Sequence, residues 1–166
     1  MISAEYCQLL ARYNHWQNGS LIRAADGLSS DERWLDRGAF FKSIAATFNH
    51  LYWADALQLE RIKGNERPHD TIKHSLTEPS DWQTFKARRT DRDEEIAAWT
   101  AALRDPDLLG ETAWYVPGSA ARIVKPKALC IVQLFNHQTH HRGQIHAMLT
   151  AAGAKPDPTD LPMMAD

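Results

Sequence analysis

The segment Asn136-His137-Gln138-Thr139-His140-His141-Arg142-Gly143-Gln144 carries two histidines four residues apart. On a helix such residues lie about 40° apart in azimuth and roughly 6 Å apart along the axis, so the imidazoles of His137 and His141 point the same way. Two parallel imidazoles one turn apart make half of a site for a divalent metal ion. The stripe Leu134, His137, His141, Ile145, Met148, Ala152 sets both histidines at the centre of an inward, otherwise apolar face. A neutral imidazole buried without partners leaves a donor and an acceptor unsatisfied, at about 1 to 3 kcal/mol for each group. Two such residues in successive turns need a common explanation, and a metal ion supplies one.

A second stripe, Ile44, Thr47, His50, Ala54, Leu57, puts His50 in the middle of another inward face. Taken alone, His50 reads as an ordinary buried histidine. If both faces line one interior, it meets His137 and His141, and three nitrogen ligands leave a coordination position for water or substrate. His140, three residues after His137, points off the stripe by about 60° and is assigned to the surface or to the outer support of the site. His146 faces elsewhere, and His15, His69 and His74 lie on a helix flank or in a loop. Asn14, Asn49, Asn136 and Gln144 are the side chains of a type that holds a ligating ring in one tautomer.

Four long segments must position these groups. Tyr6, Leu9, Tyr13, Trp16 and Ser20 recur at helical spacing and predict a first helix over roughly residues 3 to 26, closed by Asp26-Gly27. A short helical turn can follow near Leu28 to Asp31. The His50 stripe predicts a second helix that ends near Lys63-Gly64-Asn65. Residues 66–79, with Pro68 and Pro79 and no periodicity, read as a long crossover. Ser80 is the expected cap of a third helix whose stripe runs Trp82, Phe85, Arg89, Arg92, Ile96, Trp99, Leu103, stopped by Asp105-Pro106. Arg89 and Arg92 interrupt that stripe. Either their stems pass the core edge to reach water, or they hold an anionic part of a substrate in a cavity. Residues 111–125 predict a small hairpin or loop, Pro126 fits the first turn of a fourth helix that stops at Gly153, and the tail from Lys155 reads as extended, packed by Leu161, Met163 and Met164.

These elements predict an all-α domain over residues 1–166, a four-helix bundle with a long crossover between helices two and three and a short hairpin or loop before helix four. Lys and Arg number 19 against 21 Asp and Glu, a formal charge of −2, and no basic stretch is dense enough to neutralise many phosphates, so nucleic acid is not an expected partner. No apolar run approaches the roughly 20 residues that span a bilayer, and the N-terminus lacks a signal peptide's pattern, so a cytoplasmic protein without membrane contact is expected. Cys7 and Cys130 form no motif and read as structural thiols. No Ser/His/Asp arrangement, phosphate-cradling loop or paired-carboxylate signal competes with the histidines.

Tyr13-Asn14-His15-Trp16, then Phe48-Asn49-His50-Leu51 with Asp55 following, then the helix-four run with His141-Arg142-Gly143-Gln144, then Pro158-Thr159-Asp160-Leu161 make a pattern along essentially the whole chain. This pattern resembles the DinB (DNA-damage-inducible) family, the His-Arg-Gly-Gln run being its most specific part. The resemblance implies a bundle with a crossover between helices two and three, a homodimer, and a divalent ion on three histidines matching His50, His137 and His141. Imidazole ligands suit Zn, Ni, Fe and Cu, so Zn or Ni is the foremost expectation with Fe or Mn next, and the family's name, which records damage-induced expression, adds an expected link to the stress response. The family is similar to a wider superfamily of enzymes that use low-molecular-weight thiols, among them mycothiol-dependent maleylpyruvate isomerase and bacillithiol transferases. A metal-dependent thiol S-transferase acting on a small-molecule thiol and an electrophilic substrate is therefore one expectation, with no catalytic residue identified. A non-catalytic metal-binding stress or interaction protein is the other.

Overall fold

The computed structural model describes residues 1–65, 71–116 and 119–165. Residues 66–70, with Pro68 and His69 of the expected crossover, the turn residues Pro117 and Gly118, and Asp166 lie outside them. The fold is mostly helical. Four long helices, α1 (Ala4–Asp26), α3 (Ile44–Lys63), α5 (Trp82–Ala102) and α6 (Lys127–Ala151), are joined by the short helices α2 (Ser30–Trp34) and α4 (Ile72–Ser75). A hairpin of β1 (Glu111–Tyr115) and β2 (Arg122–Pro126) precedes α6, with Glu111 opposite Pro126 and Tyr115 opposite Arg122. Helix α1 packs against α5 and α6, and α3 against α6 and α5.

Local signals set the helix ends. Ser3 and Ser43 accept from the backbone N–H groups of Tyr6 and Ala46, capping α1 and α3. Gly64, at φ 79°, takes the left-handed conformation that ends α3, as Gly153, at φ 82°, does just beyond α6. Helix α5 is capped by Asp81, not by the expected Ser80: the Asp81 carboxylate accepts from Thr84 N at 2.7 Å, the N3 amide that a cap must reach. Pro126 is likewise not in the first turn of α6. It ends β2, where its missing N–H removes nothing from the ladder, and Lys127 N donates to Gly110 O at 3.0 Å.

Each long helix passes from one apolar cluster through a polar level to a second. Cys7 and Ala11 of α1, Leu59 and Ile62 of α3, Ile96 of α5, and Ile131, Leu134 and Phe135 of α6 build the first cluster. Leu21 and Ala25, Ile44, Phe48 and Leu51, Phe85, and Ile145, Met148 and Leu149 build the second. Along α1 and α6 the first cluster comes earlier in the chain, and along α3 and α5 the second does.

The polar level between them is a buried charge network. Arg89, 1% exposed, donates through Nη1 to Asp55 Oδ2 at 2.6 Å and through Nη2 to Asp93 Oδ1 at 2.7 Å. Asp93 also accepts from Asn18 Nδ2 at 2.9 Å and Asn14 Nδ2 at 3.2 Å. Arg142 donates to Asn14 Oδ1 and lies over the Tyr13 ring, so α1, α3, α5 and α6 all contribute. Burial pushes the Asp55 and Asp93 carboxyls up against the opposing pull of Arg89, and pushes Arg142 down to about 10, leaving it a cation at neutral pH.

Two expectations change here. Arg89 does not reach solvent past the core edge, and its two Nη groups are occupied by aspartates, so it holds no substrate anion. The aspartates at Asp55 and Asp93 make full burial of the guanidinium tolerable, where an unpaired cation would have to reach water. Arg92 lies at the edge, pairing with Glu95 and facing the Tyr52 ring. The tail is fastened by polar contacts: Tyr13 donates to Thr159 O at 2.6 Å, Gln17 to Pro158 O at 2.9 Å, and Asp157 N to Ser20 Oγ at 2.7 Å, while of its expected packing residues Leu161 and Met163 are exposed and Met164 is half-buried. No helix among the described residues is long and apolar enough to cross a membrane.

Replacing Arg89 with Met would leave the buried Asp55 and Asp93 carboxylates without the guanidinium that donates to both. Arg89→Met is expected to cost about 3 to 5 kcal/mol in urea unfolding. Lys63→Met, which breaks the partly exposed Lys63–Glu95 pair of 2.6 Å, is expected to cost under about 1 kcal/mol in the same assay.

Candidate metal centre

The packing of α3 on α6 brings His50, His137 and His141 together at the polar level. Their ligand atoms all lie within 4.8 Å of one another. His50 Nε2 stands 3.3 Å from His137 Nε2, and His141 Nε2 stands 3.1 Å from the same atom. Two ligands about 2.0 to 2.1 Å from a tetrahedral Zn ion lie about 3.3 Å from each other, so the two pairs that include His137 already stand at the separation a shared ion requires. Nitrogen lone pairs turned on one another at this distance repel unless a proton or a cation lies between them.

The protonation of the rings suits a cation. Burial holds the His50 imidazole down at about 3 and the His137 imidazole at about 4, with the neighbouring rings adding to both shifts; burial also lowers His141. All three are neutral at physiological pH, the form that ligates. His141 Nδ1 lies 2.8 Å from Gln144 Oε1, an acceptor, which assigns the ring proton to Nδ1 and leaves Nε2 bare toward the cluster. His50 Nδ1 and His137 Nδ1 are buried without a hydrogen-bond partner among the described residues. Donor type, spacing and tautomer together fit a divalent ion.

Of the four side chains that composition offered as ring supports, only Gln144 takes that place. Asn14 is engaged by Arg142 and Asp93, Asn49 donates to Pro79 O at 3.2 Å, and Asn136 is exposed. His140 is exposed, its Nε2 3.2 Å from Gln144 Nε2, outside the group of three. His15 and His74 are exposed and His146 is half-buried, none of them in the cluster; His69 lies outside the described residues.

The sequence left two parts of the surroundings unread. Phe41 lays its ring 4.0 Å from the His50 ring centroid and 5.5 Å from that of His141. It is delivered by a tight turn in which Lys42 N donates to Ala39 O and Arg37 N to Lys42 O, both at 2.8 Å. That turn requires Lys42 at φ 71°, a conformation costing a lysine roughly 1 to 2 kcal/mol, and nothing in residue type announces it. On a different edge, His50 and His137 border a cavity of about 440 Å³ whose wall includes Trp53, Leu57, Trp114, Leu129 and Cys130. The cavity depends on the hairpin, which carries Trp114 from β1 over the groove between α3 and α6.

The arrangement thus defines a class: a helical protein with three converging histidines beside an apolar cavity. The chain matches the DinB family over residues 1–166 and belongs to it. It is 24% identical over 162 residues to Protein DinB of Bacillus subtilis (strain 168), covering 95% of this chain and 92% of that protein. In fold it is similar to the crystal structure of a DinB-like protein from Bacillus cereus ATCC 10987, with a TM-score of 0.63 and 17% identity over 86% of this chain and 90% of that one.

The two thiols differ in access, and both are free. Cys7 has no exposed surface and burial pushes it up to about 11, whereas Cys130 is half-buried in the cavity wall. Alkylation of native protein at mildly alkaline pH, followed by peptide mass spectrometry, is expected to label Cys130 and to spare Cys7 until urea unfolds the chain.

Proposed function

We propose that this chain is a single domain, a four-helix bundle of α1, α3, α5 and α6, that holds one divalent ion on His50, His137 and His141. The reversed order of the two apolar clusters along α3 and α5, relative to α1 and α6, supports a bundle in which α3 and α5 run in the same sense, joined by the crossover between them. The observation that carries the functional reading is the convergence of three neutral Nε2 atoms, 3.1 and 3.3 Å apart, at the wall of a cavity large enough for a small molecule. Zn or Ni is the ion we favour, imidazole also suiting Fe and Cu, with Mn the weakest fit to an all-nitrogen site. The bound ion would lower the pKa of a coordinated thiol or water and so supply a nucleophile at neutral pH.

The residues around it would do the rest. Gln144 orients His141, Phe41 shields the His50–His141 edge from water, and the cavity wall receives an electrophile beside His50 and His137. A metal-dependent transferase acting on a low-molecular-weight thiol is the activity this supports. The cavity lining has no described carboxylate, which suits thiol chemistry, since a metal-bound thiolate needs no general base. The same absence also favours the second reading, a metal-binding stress or interaction protein without turnover. Thiol consumption separates the two: purified protein would be assayed with glutathione, bacillithiol and mycothiol against electrophilic substrates. The homodimer, the cytoplasmic setting and the lack of nucleic-acid or membrane partners belong to the same proposal.

Elemental analysis of protein from its native host is expected to find one equivalent of divalent ion. His50→Ala, His137→Ala and His141→Ala should each lose it, while His140→Ala keeps it. Gln144→Leu should retain the fold and weaken affinity about 10- to 100-fold in a chelator competition titration. Stoichiometric metal in His141→Ala protein would refute the ligand set.

A further inference from the structure

The cavity beside the histidines has a chemical bias that a general thiol-transferase reading does not explain. Its wall is aromatic and aliphatic, with Trp53 and Leu57 from α3, Trp114 from β1 and Leu129 from α6. Its charged lining residues are Arg61 and Lys125, and none of its described lining residues is Asp or Glu. Arg61 lies over the Trp114 ring with its guanidinium carbon 4.9 Å from the centroid, which holds that indole flat against the end of α3. Lys125, on β2, is exposed, and none of the ion pairs among the described residues involves it. The positive field of both cations reaches the wall, where it opposes the effect of burial on the Cys130 thiol.

A largely apolar chamber walled by two indoles, with a cation on its solvent side and the His50 and His137 imidazoles at its border, is selective for shape and charge together. Indole faces accept planar rings at low conformational cost. A lysine paired with no described carboxylate rewards an anion, and among the described lining residues there is no carboxylate to pair with a cation. We propose that this cavity binds a small organic anion with a planar apolar body, the body against Trp53 and Trp114, the charge on Lys125, and the opposite end toward His50 and His137. The proposal rests on the metal reading only for which end of the ligand reacts.

The test uses the full chain, both chelator-stripped and zinc-loaded, with 2-naphthoate and its uncharged counterpart naphthalen-2-ylmethanol as probes in titration calorimetry. Naphthoate is expected to bind about tenfold more tightly than the alcohol in both preparations. Lys125→Ala should abolish that preference and Lys125→Arg restore it. Trp114→Ala should weaken both probes by a similar factor, with helical circular dichroism unchanged. Equal affinity for the two probes, no binding of either, or a preference that survives Lys125→Ala would overturn the proposal. Failure of zinc uptake would overturn the metal reading alone, because the stripped protein tests the cavity independently.

Discussion

The structure depends on the burial of Arg89 between Asp55 and Asp93. Taking each of these charges out of water costs several kcal/mol, and their mutual attraction offsets that only when the remaining donors and acceptors are also met. Asn14 and Asn18 reach Asp93 from α1, and Arg142 reaches Asn14 from α6. Two guanidiniums and two carboxylates therefore balance in charge inside the protein, with a contribution from every long helix. The apolar clusters on either side supply most of the driving force for packing, but apolar attraction is non-directional and tolerates sliding. The charges do not: a one-turn slip of about 5.4 Å of α3 past α5 would separate Asp55 from Arg89, now at 2.6 Å, and the same slip of α1 past α5 would separate Asn18 from Asp93, now at 2.9 Å. The polar level selects one axial register.

The candidate metal centre inherits that register. His141 immediately precedes Arg142, so the rotation that turns the arginine toward α1 turns the histidine toward α3. His50 stands five residues before Asp55 on α3, more than a turn away along the axis and about 140° around it, so one face meets α6 while the other meets α5. Fixing Arg142 against Asn14 and Asp55 against Arg89 thus fixes the helices that present the three imidazoles. The 3.3 Å between His50 and His137, across α3 and α6, follows from charges that touch neither ring, while the 3.1 Å between His137 and His141 is set by their spacing on α6.

The sequence made the histidines legible because helical periodicity projects residue type onto a face. Stripes through Leu134, Ile145 and Met148 and through Ile44 and Ala54 placed His137, His141 and His50 inward, and the four long helices and the hairpin followed from periodicity and turn residues. The network was not legible by the same means. Periodicity assigns polar residues on an inward face no partner: Asp93 stands one turn from Arg89 on α5, but Asp55 meets them only once α3 and α5 are docked. An arginine whose aspartates lie 34 residues before it and four after it looks the same in sequence as one reaching for solvent. Phe41 and the cavity were hidden for a related reason. The first depends on a left-handed Lys42, which residue type disfavours, and the second on a hairpin folding over a groove between two helices distant in sequence.

A site held by its surroundings behaves differently from one held by its ion. In small zinc domains the metal supplies the folding free energy, because no other core exists. Here two apolar clusters and a charge network already hold α3 against α6, so an ion bound at His50, His137 and His141 would add stability by mass action, about 2.7 kcal/mol at a free concentration one hundred times its Kd, without being needed for the fold. Preformed ligands also fix the direction of any open coordination position. Phe41 covers the His50–His141 edge of the nitrogen triangle, and the His50–His137 edge borders the cavity. A group reaching such an ion through the cavity would pass Trp53 and Trp114. The packing that makes the three nitrogens converge also decides which molecules can reach them.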